Sequence, residues 1–187
     1  MVFPETIETV RLILRVFEPE DRDALVDIFG NWQVTKWLST NVPFPYTAKD
    51  AEKFIAKAGA EFKEGSAFCY AIEDKKTGRL AGNIGIFSPT GEVEIGYALD
   101  PAFWGGGMGT EILKAMTNAA FKTEIITRIV AQTATNNIGS QKILEKVGFK
   151  HAGTPPPEHA RCGHTEGCSE FYRLTIEDWQ RKNRKDV

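Results

Sequence analysis

The chain has 187 residues, a length that suits one domain, and its 42% hydrophobic and 26% charged residues supply a core and exclude disorder. A formal net charge of −2 excludes a chain-wide basic footprint for nucleic acid, and no apolar run approaches the length of a membrane span. Three cysteines, with charged residues soon after Met1-Val2-Phe3-Pro4 in place of an export signal, fit reduced thiols in a cytoplasm.

Residues 9–17 alternate around Leu12, Leu14 and Val16 and predict a first strand. Pro19 opens a helix, with Asp21 and Asp23 in its first turn and Leu25, Ile28 and Phe29 on one face. Residues 31–46 carry Trp32, Trp37, Phe44 and Tyr46 among prolines and read as an ordered loop. Thr47 caps a second helix reaching about residue 62, with Ala51, Phe54, Ile55 and Ala58 as its stripe. Strands at 68–73 and 80–87 flank the hairpin turn Lys76-Thr77-Gly78, and a third strand covers 92–99. The pattern then changes to helix (107–121), strand (128–134), helix (138–147) and strand (149–153), before a last strand through Phe171, Arg173 and Thr175. From about residue 180 the basic run ending in Arg184-Lys185 reads as a solvated tail. Strands that first meander and then alternate with helices predict one domain over 1–187, built on a mixed sheet with helices on both faces.

The strand at 92–99 alternates cleanly. Val93, Ile95, Tyr97 and Leu99 share one face; Glu94, Gly96 and Ala98 share the other. Small residues on a strand face leave room for another backbone or a ligand. Beyond Asp100-Pro101 the chain runs through Trp104-Gly105-Gly106-Gly107-Met108-Gly109-Thr110 into a helix. Without Cβ atoms, backbone N–H groups turn freely toward an anion, and the helix N-terminus adds partial positive charge. The P-loop pattern needs Gly-Lys-Ser/Thr, whereas Gly109 is followed by Thr110-Glu111. The dinucleotide frame needs glycine or alanine where Thr110 or Ile112 stands. A phosphate cradle of another kind and a ligand-free tight turn both remain.

A second strand-to-helix junction follows at Thr135-Asn136-Asn137-Ile138-Gly139-Ser140. Either asparagine caps the helix, and Gly148 stops it. Ser140, Leu144 and Val147 share a face by their spacing, which leaves Ser140 partly desolvated near the carboxyl edge of the sheet. A small residue tolerated at a packing contact is the alternative.

Taken together, Glu94-Ile95-Gly96-Tyr97, the segment from Phe103 to Glu111 and the segment from Asn137 to Phe149 resemble successive motifs of the GNAT superfamily of N-acetyltransferases. They most resemble the branch containing the ribosomal-protein N-terminal acetyltransferases. The opening Thr9-Val10-Arg11-Leu12-Ile13-Leu14-Arg15 and the closing Glu177-Asp178-Trp179 also look familial, so the similarity covers nearly the whole chain. The resemblance implies an α/β fold of mixed α+β character: a splayed, mostly antiparallel mixed sheet of about seven strands with helices on both faces. It implies acetyl-CoA as co-substrate and no metal. The partner it implies is an amine acceptor, either a protein N-terminal α-amine or a small molecule, with no nucleic acid and no membrane. Family analogy adds a homodimer.

The resemblance also assigns roles. Acetyl-CoA would wedge between the strands ending at Leu99 and Ala134, its thioester carbonyl accepting from a backbone N–H near Tyr97 to Leu99. The family's pyrophosphate motif falls on Trp104, Gly107 and Gly109, with Trp104 in place of the usual polar first residue. Gly105, Gly106, Met108 and Thr110 share that cradle, and Asn137 and Ser140 extend it from the second junction. The family's tyrosine acid falls at Leu144 and is therefore absent, which makes Ser140 the candidate to hydrogen-bond the departing thiolate. The same absence admits a rival reading, a non-catalytic CoA-binding or protein-interaction module. Glu94 is the candidate base at the acceptor site; Glu158, Glu166 and Glu170 are its rivals, and a plain surface carboxylate is the alternative. Trp32, Trp37 and Phe44, with Tyr46, are candidate walls of the acceptor site, although aromatics there also serve as core. His159, Cys162, His164 and Cys168 match no common zinc spacing, so a mobile loop after Pro155-Pro156-Pro157 is expected in place of a metal site.

Overall fold

The computed structural model describes residues 3–154 and 168–183. A short strand, β1 (Thr6–Glu8), precedes the opening alternation, within which β2 (Leu12–Arg15) forms and pairs with it antiparallel. Thr9 closes the turn between them: its N–H donates to the Leu12 carbonyl at 2.9 Å, and its Oγ1 accepts from the Leu12 N–H at 2.9 Å. Pro19–Asp21 forms one 3-10 turn ahead of α1 (Arg22–Gly30). The Arg15 guanidinium forks onto the buried Asp21 carboxylate at 2.8 Å and reaches Glu73 at 2.7 Å, fixing the start of that helical segment to the sheet.

The aromatic loop contains a single-turn helix, α2 (Trp32–Thr35), capped by the Asn31 side chain. In α3 (Ala48–Glu64), Thr47 and Asp50 form a reciprocal capping box. Three long antiparallel strands follow: β3 (Ala67–Asp74), β4 (Leu80–Phe87) and β5 (Gly91–Leu99). The chain continues as α4 (Met108–Phe121), β6 (Ile126–Ala134), α5 (Ile138–Val147), β7 (Lys150–Gly153), β8 (Ser169–Thr175) and α6 (Ile176–Asn183).

The sheet has eight strands in the order β1-β2-β3-β4-β5-β6-β8-β7, one more than expected because β1 forms ahead of the segment predicted as the first strand. Every neighbouring pair is antiparallel except β5 and β6. That parallel pairing ends at Glu94↔Val130, although β5 runs on to Leu99 and β6 to Ala134. Both strands keep their outer partners over these last residues. The sheet is therefore splayed open at the carboxyl ends of two adjacent parallel strands, where α4 and α5 begin.

The two faces carry separate apolar clusters. Leu12, Leu14, Ile84, Ile95, Ile112, Met116, Leu144 and Val147 pack on the α4–α5 side, and Leu25, Ile28, Phe29, Ala51, Cys69, Ala71 and Ala98 pack on the α1–α3 side. The period-2 alternation of β5 is what divides Ile95 from Ala98.

The expected basic tail needs correction. Through Asn183 it is helical, and Ile176 and Trp179 of α6 pack on the larger cluster. Trp179 Nε1 donates to Asn118 Oδ1 at 2.7 Å, and its ring lies 5.5 Å from that of Phe121. A predominantly charged segment hid a helix held by two apolar residues. The thiols need correction too: Cys69 is free and buried, but Cys168 is disulfide-bonded. His159, Cys162, His164, Glu158 and Glu166 lie outside the described residues.

Candidate active site

The cleft is built from backbone first. Asp100 N–H donates to the Ala81 carbonyl at 2.8 Å, which sets the phase of the β4–β5 ladder. Ala98, Gly96 and Glu94 then turn their N–H and C=O groups toward β4, and Leu99, Tyr97 and Ile95 turn theirs toward β6. Past Glu94 no strand meets them there, so the Tyr97 and Leu99 N–H groups point into the splay. Trp104 Nε1 donates to the Leu99 carbonyl at 2.8 Å. The indole thus pins the glycine loop to the strand end, a structural task in place of the polar contact its motif position usually supplies.

Gly105 and Gly107 hold left-handed backbone at φ 75° and 79°, a conformation that a side chain disfavours. No atom lies within 4 Å of where a Cβ would stand on Gly105 or Gly106. Their outer surface is open, and it precedes the N-terminus of the 14-residue α4. A helix start preceded by such a loop offers backbone N–H groups and partial positive charge to an anion. Met108 and Thr110 are partly buried in the first turn, and Gly109 is buried because Ile143 of α5 presses on it.

At the second junction Asn137 Oδ1 accepts from the Ser140 N–H at 3.1 Å and caps α5. The Ser140 hydroxyl shares a hydrogen bond of 2.9 Å with the hydroxyl of Tyr97. The structure so brings β5 and α5 together across the splay through two side chains. Burial pushes the Tyr97 phenol up to about 12, against the opposing effect of its bond to Ser140. The phenol stays protonated at neutral pH and is available as a donor. Leu144, at the position of the missing acid, is buried in the core. Alternation alone placed Tyr97 on this face; nothing in the sequence paired it with Ser140.

Glu94 lies on the opposite face of β5, directly across from Phe87 on β4. The residue retains solvent access, yet burial of its carboxyl group raises its pKa above the ordinary value. Next to it the aromatic ring of Phe87 passes 3.5 Å from the Cβ position of Gly96. Glu170 falls on the other face, with Tyr172 and Leu174, where its Oε2 lies 2.6 Å from His151 Nε2.

The aromatic candidates separate. Trp32 and Phe44 are exposed, with ring centroids 4.9 Å apart. Trp37 instead lies under the Lys36 ammonium at 4.7 Å. Tyr46 is buried against Phe29, with centroids 5.1 Å apart, and serves as core. Among the described residues, no cluster of three or more His, Cys, Asp or Glu is arranged to hold a metal ion, and no helix is long and apolar enough to cross a membrane.

Known proteins match this arrangement. Residues 11–150 match the family model for the acetyltransferase (GNAT) domain. An uncharacterized N-acetyltransferase of Bacillus subtilis, YoaA, is 30% identical over 155 residues, covering 81% of this chain and 86% of its own. The structure of Mycobacterium smegmatis RimJ in complex with CoA-disulfide superposes with a TM-score of 0.83 at 20% identity, covering 100% of this chain and 98% of that one. The ribosomal-protein-S5-alanine acetyltransferase of Vibrio fischeri superposes with a TM-score of 0.77 at 18% identity, covering 93% of this chain and 98% of that one. At such identities the two structures share the fold. The family model and the Bacillus relative, which span the cleft, both junctions and the sheet between them, carry the assignment: this chain belongs to the GNAT acetyltransferases, enzymes that transfer the acetyl group of acetyl-CoA to an amine.

Proposed function

We propose that the acceptor is a primary amine, foremost the α-amine of a protein N-terminus, and that it approaches the splay from the Glu94 face. The observation that carries the reading is the Tyr97–Ser140 hydrogen bond at 2.9 Å, which sets two hydroxyls at the opened end of the sheet between the two helix starts. The glycine loop from Gly105 to Gly107 holds the coenzyme's pyrophosphate on backbone N–H groups. The Leu99 and Tyr97 N–H groups face the cleft and stabilise the oxyanion that develops on the thioester carbonyl. Ser140 donates to the departing sulfur. Glu94 takes the amine proton, and the exposed Trp32–Phe44 pair offers apolar surface to the residue bearing the amine. The fold shared with an S5-alanine acetyltransferase supports a peptide acceptor.

An acceptor screen tests this. Peptides of varied N-terminal residue and small primary amines are offered with acetyl-CoA, and thiol release is followed. Peptide α-amines are expected to give the highest kcat/KM. Faster turnover of a small amine across the panel would replace that acceptor class.

A pH dependence follows from Glu94. Its carboxyl is raised by burial, and a base works only when deprotonated. The acid limb of kcat/KM should therefore lie above the ordinary glutamate value of about 4.3. Activity is present above the raised value and is lost as pH falls through it. Glu94→Gln is expected to remove this limb and to lower kcat/KM about tenfold or more. A second limb, belonging to the acceptor amine, should track the amine pKa between two acceptors. An unchanged profile in Glu94→Gln would assign the carboxylate to the surface.

A further inference from the structure

Arg11 stands far from both junctions in sequence, in the turn between β1 and β2. In space it reaches the glycine loop. Its Nη1 donates to the Gly106 carbonyl at 2.7 Å, and its Nη2 lies 3.7 Å from the Cβ position of Gly107. Its Nε and Nη2 both lie 2.7 Å from Glu111 Oε2, while its own N–H donates to Glu111 Oε1 at 2.8 Å. Thr9 Oγ1 adds a fourth bond to Glu111 Oε1 at 2.6 Å.

Glu111 sits in the first turn of α4. A carboxylate there suits the helix dipole but has the wrong sign beside a phosphate. Burial alone would raise its pKa; the bonds from Thr9 and Arg11 outweigh that and hold the carboxyl below its ordinary value. The carboxylate is thus ionised and fully engaged, its charge matched by a guanidinium that also grips the loop. Pulling the Gly106 carbonyl toward Arg11 turns that peptide so that its oxygen points to the clamp and away from the open side of the cradle.

We infer that Arg11 is a positioning residue for the coenzyme's phosphates: it tethers the loop through Gly106 and cancels the charge of Glu111 at the mouth of the cradle. The inference rests on the reading that this loop receives the pyrophosphate.

Calorimetric binding of CoA and of acetyl-pantetheine, which lacks the phosphates, to the whole protein tests it. Wild type should bind CoA far more tightly than acetyl-pantetheine. Arg11→Ala should weaken CoA about tenfold, the size of a lost charge-assisted hydrogen bond, and leave acetyl-pantetheine unaffected. Glu111→Gln, which frees a positive charge beside the cradle, should tighten CoA and steepen its salt dependence. In Arg11→Ala/Glu111→Gln part of the lost CoA affinity should return. If Arg11→Ala fails to fold, the tightening in Glu111→Gln still decides. Equal weakening toward both ligands, or CoA binding unmoved in both single variants, overturns the inference. A wild type that prefers neither ligand overturns the phosphate reading itself, a failure visible without any variant.

Discussion

Replacing Ser140 with alanine is expected to lower kcat by roughly 100-fold while leaving CoA affinity essentially unchanged. The departing group of an acetyl transfer is a thiolate, and a positioned proton stabilises it only as the bond breaks. That makes the effect one on kcat. The variant should fold, because the α5 cap uses the Ser140 backbone N–H on Asn137 Oδ1 and not the hydroxyl. Tyr97 loses its 2.9 Å partner but keeps its place in the core, where Ile95 and Leu99 share its face. Ser140→Cys keeps a weak donor and should fall between the two. Single-turnover acetyl transfer is the decisive measurement, since product release can mask chemistry in the steady state. Equal single-turnover rates for wild type and Ser140→Ala would remove the hydroxyl from the mechanism.

The sequence made the skeleton legible wherever a feature is local. Clean alternation located β5, glycines located the entry to α4, and an asparagine placed before a helical stripe located α5. Pairing across distance was not legible. Arg11 and Glu111 lie 100 residues apart, and Tyr97 and Ser140 lie 43 apart. Neither pairing exists until β2 and α4, or β5 and α5, are adjacent. Leu144 shows the reverse case: its position announced a missing acid, but the phenol that reaches Ser140 arises from a strand instead. Helix α6 is not legible because packing of the partly buried Ile176 and Trp179 on the core, not composition, holds it. The aromatics at 32–46 divide into exposed and buried members for the same reason, since only packing separates Phe44 from Tyr46.

Gly82→Ala is expected to destabilise the protein by about 4 kcal/mol, enough to lower its melting temperature by roughly 10 °C. Ala81 is the extra residue of a bulge in β4, since Ile72 pairs with Gly82 and Glu73 already pairs with Leu80. At Gly82 the backbone adopts φ 149°, and a Cβ would stand 2.0 Å from the Ala98 carbonyl oxygen and 2.9 Å from the Leu99 Cα. Those are backbone atoms of a strand laddered to β4 through Leu99, so neither swings aside as a flexible side-chain tip would. Relief requires β5 to move away from β4, and what moves is the end of β5 that carries Leu99 into the cleft. Gly105→Ala makes the contrast. It also needs positive φ, but its Cβ meets open space. Its cost should stay near 1 kcal/mol, the strain of left-handed backbone alone. Thermal unfolding of both variants separates crowding from conformational strain. Equal melting temperatures would show that β5 yields without loss, and that the edge of the cleft is softer than its ladder implies.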